Sequence, residues 1–164
     1  MSRPGASIPA LTQGIATERR RRPFGAPVAM LTQVPLFAGL SRRHLRQVAR
    51  LSEAASFRPG RMVAQFGSRG NAFYVIVEGT AKVTAGYSSR TIAKLGPGDF
   101  FGELALLDGQ PRSASVTAET HLTTIRIGRP EFRQLLKREP DVALKLLEVL
   151  SLRFRSASRD HGVN

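Results

Sequence analysis

A chain of 164 residues, 41% of them apolar, is long enough for one domain with a real core and too short for two ordinary ones. It has no cysteine, which excludes disulfides, thiolate metal sites and a thiol nucleophile. No apolar run approaches the ~18 residues of a membrane span, and the N-terminal stretch lacks the apolar segment of a secretory signal, so a cytoplasmic location is expected. Lys and Arg number 25 against 12 Asp and Glu, a net charge of +13. The surplus is concentrated in residues 1–50, with nine basic and one acidic side chain, against sixteen and eleven in residues 51–164. Such a balance draws anions: nucleic acid, acidic lipid or a phosphorylated ligand.

Residues 1–30 read as a leader. Pro4, Pro9, Pro23 and Pro27 interrupt it, Arg19–Arg22 charges it, and no apolar periodicity survives. Such a segment buries too little to offset its ordering entropy and is expected to be disordered, or else to serve as a basic arm on nucleic acid or acidic lipid. A helical lead-in over 36–51 follows. Ser41 is a plausible N-cap, Leu45, Val48, Ala49 and Leu51 form one apolar stripe, and Arg42, Arg43, Arg46 and Arg50 fall mostly on other faces.

From about residue 54 to 127 the pattern changes to short strands with turn punctuation. Phe57 leads into the turn Arg58-Pro59-Gly60-Arg61. Strands are expected at Met62–Ala64, Phe73–Val77, Ala81–Thr84, Thr91–Leu95, Ser113–Thr117 and His121–Ile127, with a hairpin connection at Gly86–Ser89 and a tight turn at Gly96–Asp99. Strands every 8–12 residues predict an antiparallel sandwich or barrel. Helices return over 130–157, with Pro140 suited to a helix start. Val142, Leu144, Leu146, Leu147, Val149, Leu150, Leu152 and Phe154 make the last helix apolar around much of its circumference, so a second contact surface is expected beyond the sandwich. Residues 158–164 form a tail.

The stretch from Gly96 to Ala114 carries the chemistry. Glu103-Leu104-Ala105-Leu106-Leu107 is a run of helix formers between two strands, and the first amides of such a turn have no partner within the helix and favour an anion. Gly102 admits close approach, Pro111 stiffens the position of Arg112, and Ser113 adds a hydroxyl. Together these make a phosphate cradle. Glu103 opposes an anion by charge but suits a neutral hydroxyl such as a ribose 2′-OH. Phosphate and ribose hydroxyl side by side describe a nucleotide.

Phe101-Gly102-Glu103-Leu104-Ala105-Leu106 and Pro111-Arg112-Ser113-Ala114 resemble, without a gap, the phosphate-binding cassette of the cyclic-nucleotide-binding domain family. Leu36–Ser41 and Phe73–Gly79 are similar to its helical lead-in and its central strand and turn, so the resemblance covers about residues 31–157. It implies a mainly β fold: an antiparallel double-stranded β-helix, the jelly-roll-like β-roll of cAMP receptor proteins, with an N-terminal helix and C-terminal helices. It also implies roles: Glu103 for the ribose 2′-OH, Arg112 for the exocyclic phosphate oxygens, and the amides of Gly102, Leu104 and Ala105 with Ser113 for the remaining phosphate contacts. The implied ligand is cAMP or cGMP. Ser113 stands where a threonine in relatives favours cGMP, which tilts the expectation to cAMP.

Other residues read plainly. His44, His121 and His161 share no metal-ligand spacing, and no metal is expected. His44 is read as solvated and His121 as ending a strand or turn. No Ser/His/Asp set has an activating geometry, so enzyme activity is not expected. Transcription factors that resemble this chain continue into a helix-turn-helix. None is legible after Pro140 here, so sequence-specific DNA reading by this chain is not expected. The expected function is a ligand-sensing regulatory module acting through movement of the last helix, with residues 140–157 available for a homodimer or an effector protein. The alternatives are a basic nucleic-acid-associated or transcription-regulator-like protein whose β-roll is a scaffold, and a fragment of a longer regulator of the cAMP-receptor type.

Overall fold

The computed structural model describes residues 26–160. Its elements in chain order are α1 (Val28–Leu31), a single 3-10 turn (Pro35–Phe37), α2 (Arg42–Leu51), β1 (Ser52–Phe57), β2 (Met62–Ala64), β3 (Ala72–Glu78), β4 (Ala81–Ala85), β5 (Thr91–Leu95), β6 (Phe100–Phe101), α3 (Glu103–Asp108), β7 (Ala114–Ala118), β8 (Leu122–Gly128), α4 (Arg129–Arg138) and α5 (Pro140–Asp160). All strand pairs are antiparallel. They form two four-stranded sheets, ordered β1-β8-β3-β6 and β2-β7-β4-β5. This is the expected β-roll with flanking helices.

The first sheet is buried on both faces. Along β3, Ala72, Tyr74 and Ile76 point into the space between the sheets, where they meet Phe57, Val63, Phe101, Val116 and Leu122. Phe73 and Val75 point the other way, onto a helical layer that includes Val48, Phe132, Leu135, Val142 and Leu146. Side chains alternate across a strand, so only a two-faced burial explains the unbroken apolar run at 73–77. Phe100 and Phe101 divide in the same way, one to each core.

Two strands escaped the sequence pattern. β1, Ser-Glu-Ala-Ala-Ser-Phe, lacks β-branched residues, and its pairing with β8 from Ser52↔Ile127 to Phe57↔Leu122 makes it a strand. Partner burial overrides propensity there. β6 is too short for any periodicity to register. At the N-terminus the expected leader reaches residue 30, but Val28–Leu31 forms α1. Ala26 and Leu31 are buried, and the Ala26 amide donates to Ser52 O at 2.9 Å, so docking of a few apolar residues sets the boundary. Residues 1–25, with Arg19–Arg22, and residues 161–164, with His161, lie outside the described residues.

Ser41 is the α2 N-cap as expected, its Oγ accepting from the His44 amide at 3.3 Å. His44 is not simply solvated: its Nδ1 lies 3.2 Å from Oε2 of buried Glu139, because α2 packs beside the junction of α4 and α5. His121 stands exposed just before β8. The Lys145 ammonium of α5 donates to the carbonyls of Pro35, at 3.4 Å, and Ala38, tying the last helix to the 3-10 turn.

Candidate functional site

Between the second sheet, α3 and α5 lies a cleft of about 920 Å³. All six residues singled out in the cassette, Gly102, Glu103, Leu104, Ala105, Arg112 and Ser113, line it together. Val83, Ile92 and Leu95 supply an apolar wall from the second sheet, and Leu152 and Phe154 another from α5. The volume lies at the upper end of small-molecule sites.

The cassette is held by backbone. Gly102, at the α3 N-cap, has φ +89°, and a Cβ there would stand 2.8 Å from Ala72 O and 2.9 Å from Arg112 Nη1. Only glycine meets both the conformation and the approach. One turn on, Ala105 packs against the backbone of Gly70 so tightly that any Cβ on Gly70 would collide with its methyl group. Leu106 is fully buried and anchors α3 to the helical core. Arg129 secures the same contact, its Nη2 donating to Gly70 O at 2.9 Å and Ala105 O at 3.1 Å.

Arg112 is 7% exposed. Its backbone is fixed by two bonds of 2.8 Å, Arg112 N to Ser68 O and Gly67 N to Arg112 O. Its Nη2 donates to Ala72 O at 3.0 Å. Burial pushes its pKa below the ordinary arginine value, opposed by Tyr74 and Glu103. It remains a cation, since a guanidinium does not deprotonate in proteins.

Glu103, the first residue of α3, is 4% exposed. Burial pushes its carboxyl above the usual range; a backbone hydrogen bond, then the charges of Arg153 and Arg112 and the hydrogen bond from Arg153, pull it back. Arg153, from α5, escaped the sequence reading. Its Nη1 donates to Glu103 Oε1 at 3.2 Å, its Nη2 donates to Phe100 O at 2.7 Å, and its guanidinium carbon sits 4.6 Å from the centre of the Phe100 ring. No local signal marks it, because it lies fifty residues from its partner on a helix with four basic side chains. Ala72, Gly70 and Arg129 escaped for the same reason: their roles exist only across strands.

The site therefore presents a buried cation and a buried carboxylate at one cleft, joined by a short helix whose first turn opens at a left-handed glycine. Such a set suits a ligand with both an anionic group and a neutral hydroxyl. Residues 54–139 match the cyclic nucleotide-binding domain family. The chain belongs to that family.

Two relatives and one solved structure illustrate the kinship. The chain is 32% identical over 133 residues to the cyclic nucleotide-gated potassium channel mll3241 of Mesorhizobium japonicum, covering 81% of this chain and 36% of the channel. It is 36% identical over 124 residues to the cAMP-dependent protein kinase regulatory subunit of Aspergillus fumigatus, covering 76% of this chain and 29% of that protein. Its fold superposes on the catabolite activator protein of Thermus thermophilus with a TM-score of 0.69 and 31% identity, over 77% of this chain and 61% of that one. The chain thus spans about a third of these curated relatives. Among the described residues no His, Cys, Asp and Glu cluster could hold a metal ion, and no helix is long and apolar enough to cross a membrane.

Proposed function

We propose that this chain is a ligand-sensing regulatory module that takes cAMP in preference to cGMP in the cleft and performs no catalysis. The observation that carries the reading is that Arg112 and Glu103, both buried, line one cleft with Gly102 and the first turn of α3 between them. In this reading the exocyclic phosphate meets the Arg112 guanidinium, the Ser113 hydroxyl and the amides of Gly102, Leu104 and Ala105, and the ribose 2′-OH donates to Glu103. The purine lies between the apolar walls of the second sheet and α5. Small Ser113, in the place of a threonine, supports cAMP over cGMP.

The output is movement of α5. That helix contributes Leu150, Leu152, Arg153 and Phe154 to the cleft, so a ligand that prefers one helix position over another shifts the equilibrium between them. α5 also supports a homodimer. Leu144, Leu147 and Ser151 recur at heptad spacing, and both leucines are exposed. A cytoplasmic location completes the reading.

Calorimetric titration of the purified chain with cAMP and with cGMP tests it, with Arg112→Leu alongside. Saturable binding of one cAMP per chain, tighter than cGMP and lost in the variant, is expected. Undiminished cAMP binding by Arg112→Leu would sink the site, and a folded wild-type chain that binds neither nucleotide would sink the function.

A further inference from the structure

Glu103 has an unusual task if it is to accept a hydrogen bond from a sugar hydroxyl. A carboxylate is the better acceptor when ionised, yet burial favours its neutral form. Two cations face it. Arg112, from the segment before β7, already gives a donor to Ala72 O and is the residue read as meeting the phosphate. A bound phosphate would draw on the charge of Arg112, leaving less of it for Glu103. Arg153, from α5, is the other cation. The remaining carboxylates that line the cleft are Asp99, whose Oδ2 accepts from the Gly96 amide at 2.8 Å, and Asp160 near the end of α5. Tyr74 and Arg126 act on Arg112.

Arg153 is held for the task on three sides. It bonds Glu103 Oε1, it bonds the carbonyl of Phe100 at the end of the first sheet, and its guanidinium carbon lies over the Phe100 ring. Its side chain is 36% exposed against 5% for that of Glu103, so the arginine keeps contact with solvent while its partner is enclosed. A guanidinium spends its planar fork well on such divided duty, which a lysine could not reproduce in full.

We propose that Arg153 is a positioning residue for nucleotide recognition: held against Phe100, it keeps Glu103 ionised and oriented, and so makes discrimination for the ribose 2′-hydroxyl depend on α5. The inference rests on the reading of Glu103 under the proposed function and adds a residue outside the cassette. It gives the last helix a specific chemical link to the ligand. When α5 moves, the acceptor for the sugar changes strength, and by reciprocity the sugar biases α5.

The test compares cAMP with 2′-deoxy-cAMP on the purified chain, between about pH 5 and about pH 8, a span that covers raised carboxyl values. The wild type is expected to prefer cAMP by about tenfold or more at the upper end of that span, the worth of a hydrogen bond to a charged group, and to lose part of that preference toward the lower end, because burial raises the carboxyl pKa even with Arg153 in place. In Arg153→Leu the preference should shrink severalfold, and the fall of cAMP affinity as Glu103 takes up its proton should begin at higher pH than in the wild type. Arg153→Lys should restore the wild-type pH profile by returning the charge. Arg153→Gln keeps a donor for Phe100 O but carries no charge, and should behave like the leucine variant. A purely structural contact of α5 would shift cAMP and 2′-deoxy-cAMP together. Circular dichroism establishes that each variant is folded. If Arg153→Leu and Arg153→Gln keep both the wild-type preference and the wild-type pH profile, the inference is wrong while the site stands. A wild-type chain that binds cAMP without favouring it over 2′-deoxy-cAMP overturns the role of Glu103, and this inference with it. Absence of any binding overturns the reading of the whole site.

Discussion

The cleft has two arginines, and they are supported differently. Arg112 sits 7% exposed, with two backbone bonds fixing its main chain and its guanidinium resting on a carbonyl of β3, inside a sheet buried on both faces. Arg153 comes from α5, a helix of 21 residues with only Val142 and Leu146 buried, and reaches the cleft from a far less buried backbone. One cation is part of the scaffold, and the other is carried by an element whose position the scaffold only partly sets. Interactions anchored in a two-faced sheet hold their geometry whether or not a ligand is present, whereas those carried by a lightly buried helix can be exchanged. The cleft thus joins a firmly anchored half to one carried by a lightly buried helix.

The sharpest way to break that comparison is to remove each cation in turn. Arg112→Leu should lower cAMP affinity by about a hundredfold, or about 3 kcal/mol, because the ligand anion loses its charged donor in a buried setting. Arg153→Leu should cost cAMP binding less. Equal losses in parallel titrations would mean the two ends are equally fixed.

Next in size is Gly102→Ala. A left-handed backbone with a side chain costs about 1–2 kcal/mol, and here the new methyl also presses on Ala72 O and the Arg112 guanidinium. Thermal unfolding should fall by several degrees, since about 1 kcal/mol corresponds to roughly 2–4 °C for a domain of this size. cAMP affinity should fall about tenfold, if strain and the displaced guanidinium together cost about 1.4 kcal/mol of binding. Wild-type stability would show that the α3 entrance is not rigid.

Glu103→Gln separates stability from recognition. Because the folded pKa of Glu103 is raised, the native state binds its proton more readily than the unfolded chain does. Its contribution to stability is present below the unfolded carboxyl pKa and is lost as pH rises through the folded value. Denaturant unfolding of the variant at about pH 4 and about pH 7 should show less loss of stability toward neutral pH than the wild type. Its cAMP affinity should fall about tenfold at neutral pH, with a neutral amide replacing the charged acceptor. A variant with the wild-type stability slope would mean that Glu103 is not the raised group.

The smallest effect at the site belongs to Leu147→Glu on the exposed stripe of α5. It should convert a dimer to a monomer in sedimentation while leaving cAMP affinity within about threefold, less than about 0.7 kcal/mol. A chain that is monomeric before substitution removes the dimer reading and leaves the cleft unaffected.

Much of this was legible in the primary structure. The strands at 62–64 and 91–95 and the Ser41 cap were readable because their signals are local: alternation, a turn residue, a hydroxyl three residues before an amide. The cassette was readable because glycine, glutamate, proline and arginine stand together within a dozen residues. Less legible were β1, whose sequence has little strand character until β8 lies beside it, and the N-terminal boundary, which depends on where Ala26 finds a buried place.

By itself, then, the sequence determined the alternation of the strands, the turn at Gly102 and the chemical inventory of the cleft. Each of these is a matter of backbone preference or residue type within a few positions. Only the tertiary structure decided that Arg153 meets Glu103, that Ala72 O receives Arg112 and that Arg129 ties Gly70 to α3. Those partners are 24 to 59 residues apart, and no local preference selects one arginine among 25 basic residues. The choice is made by which buried polar groups would otherwise go unpaired, and that exists only once the sheets and helices have closed around them.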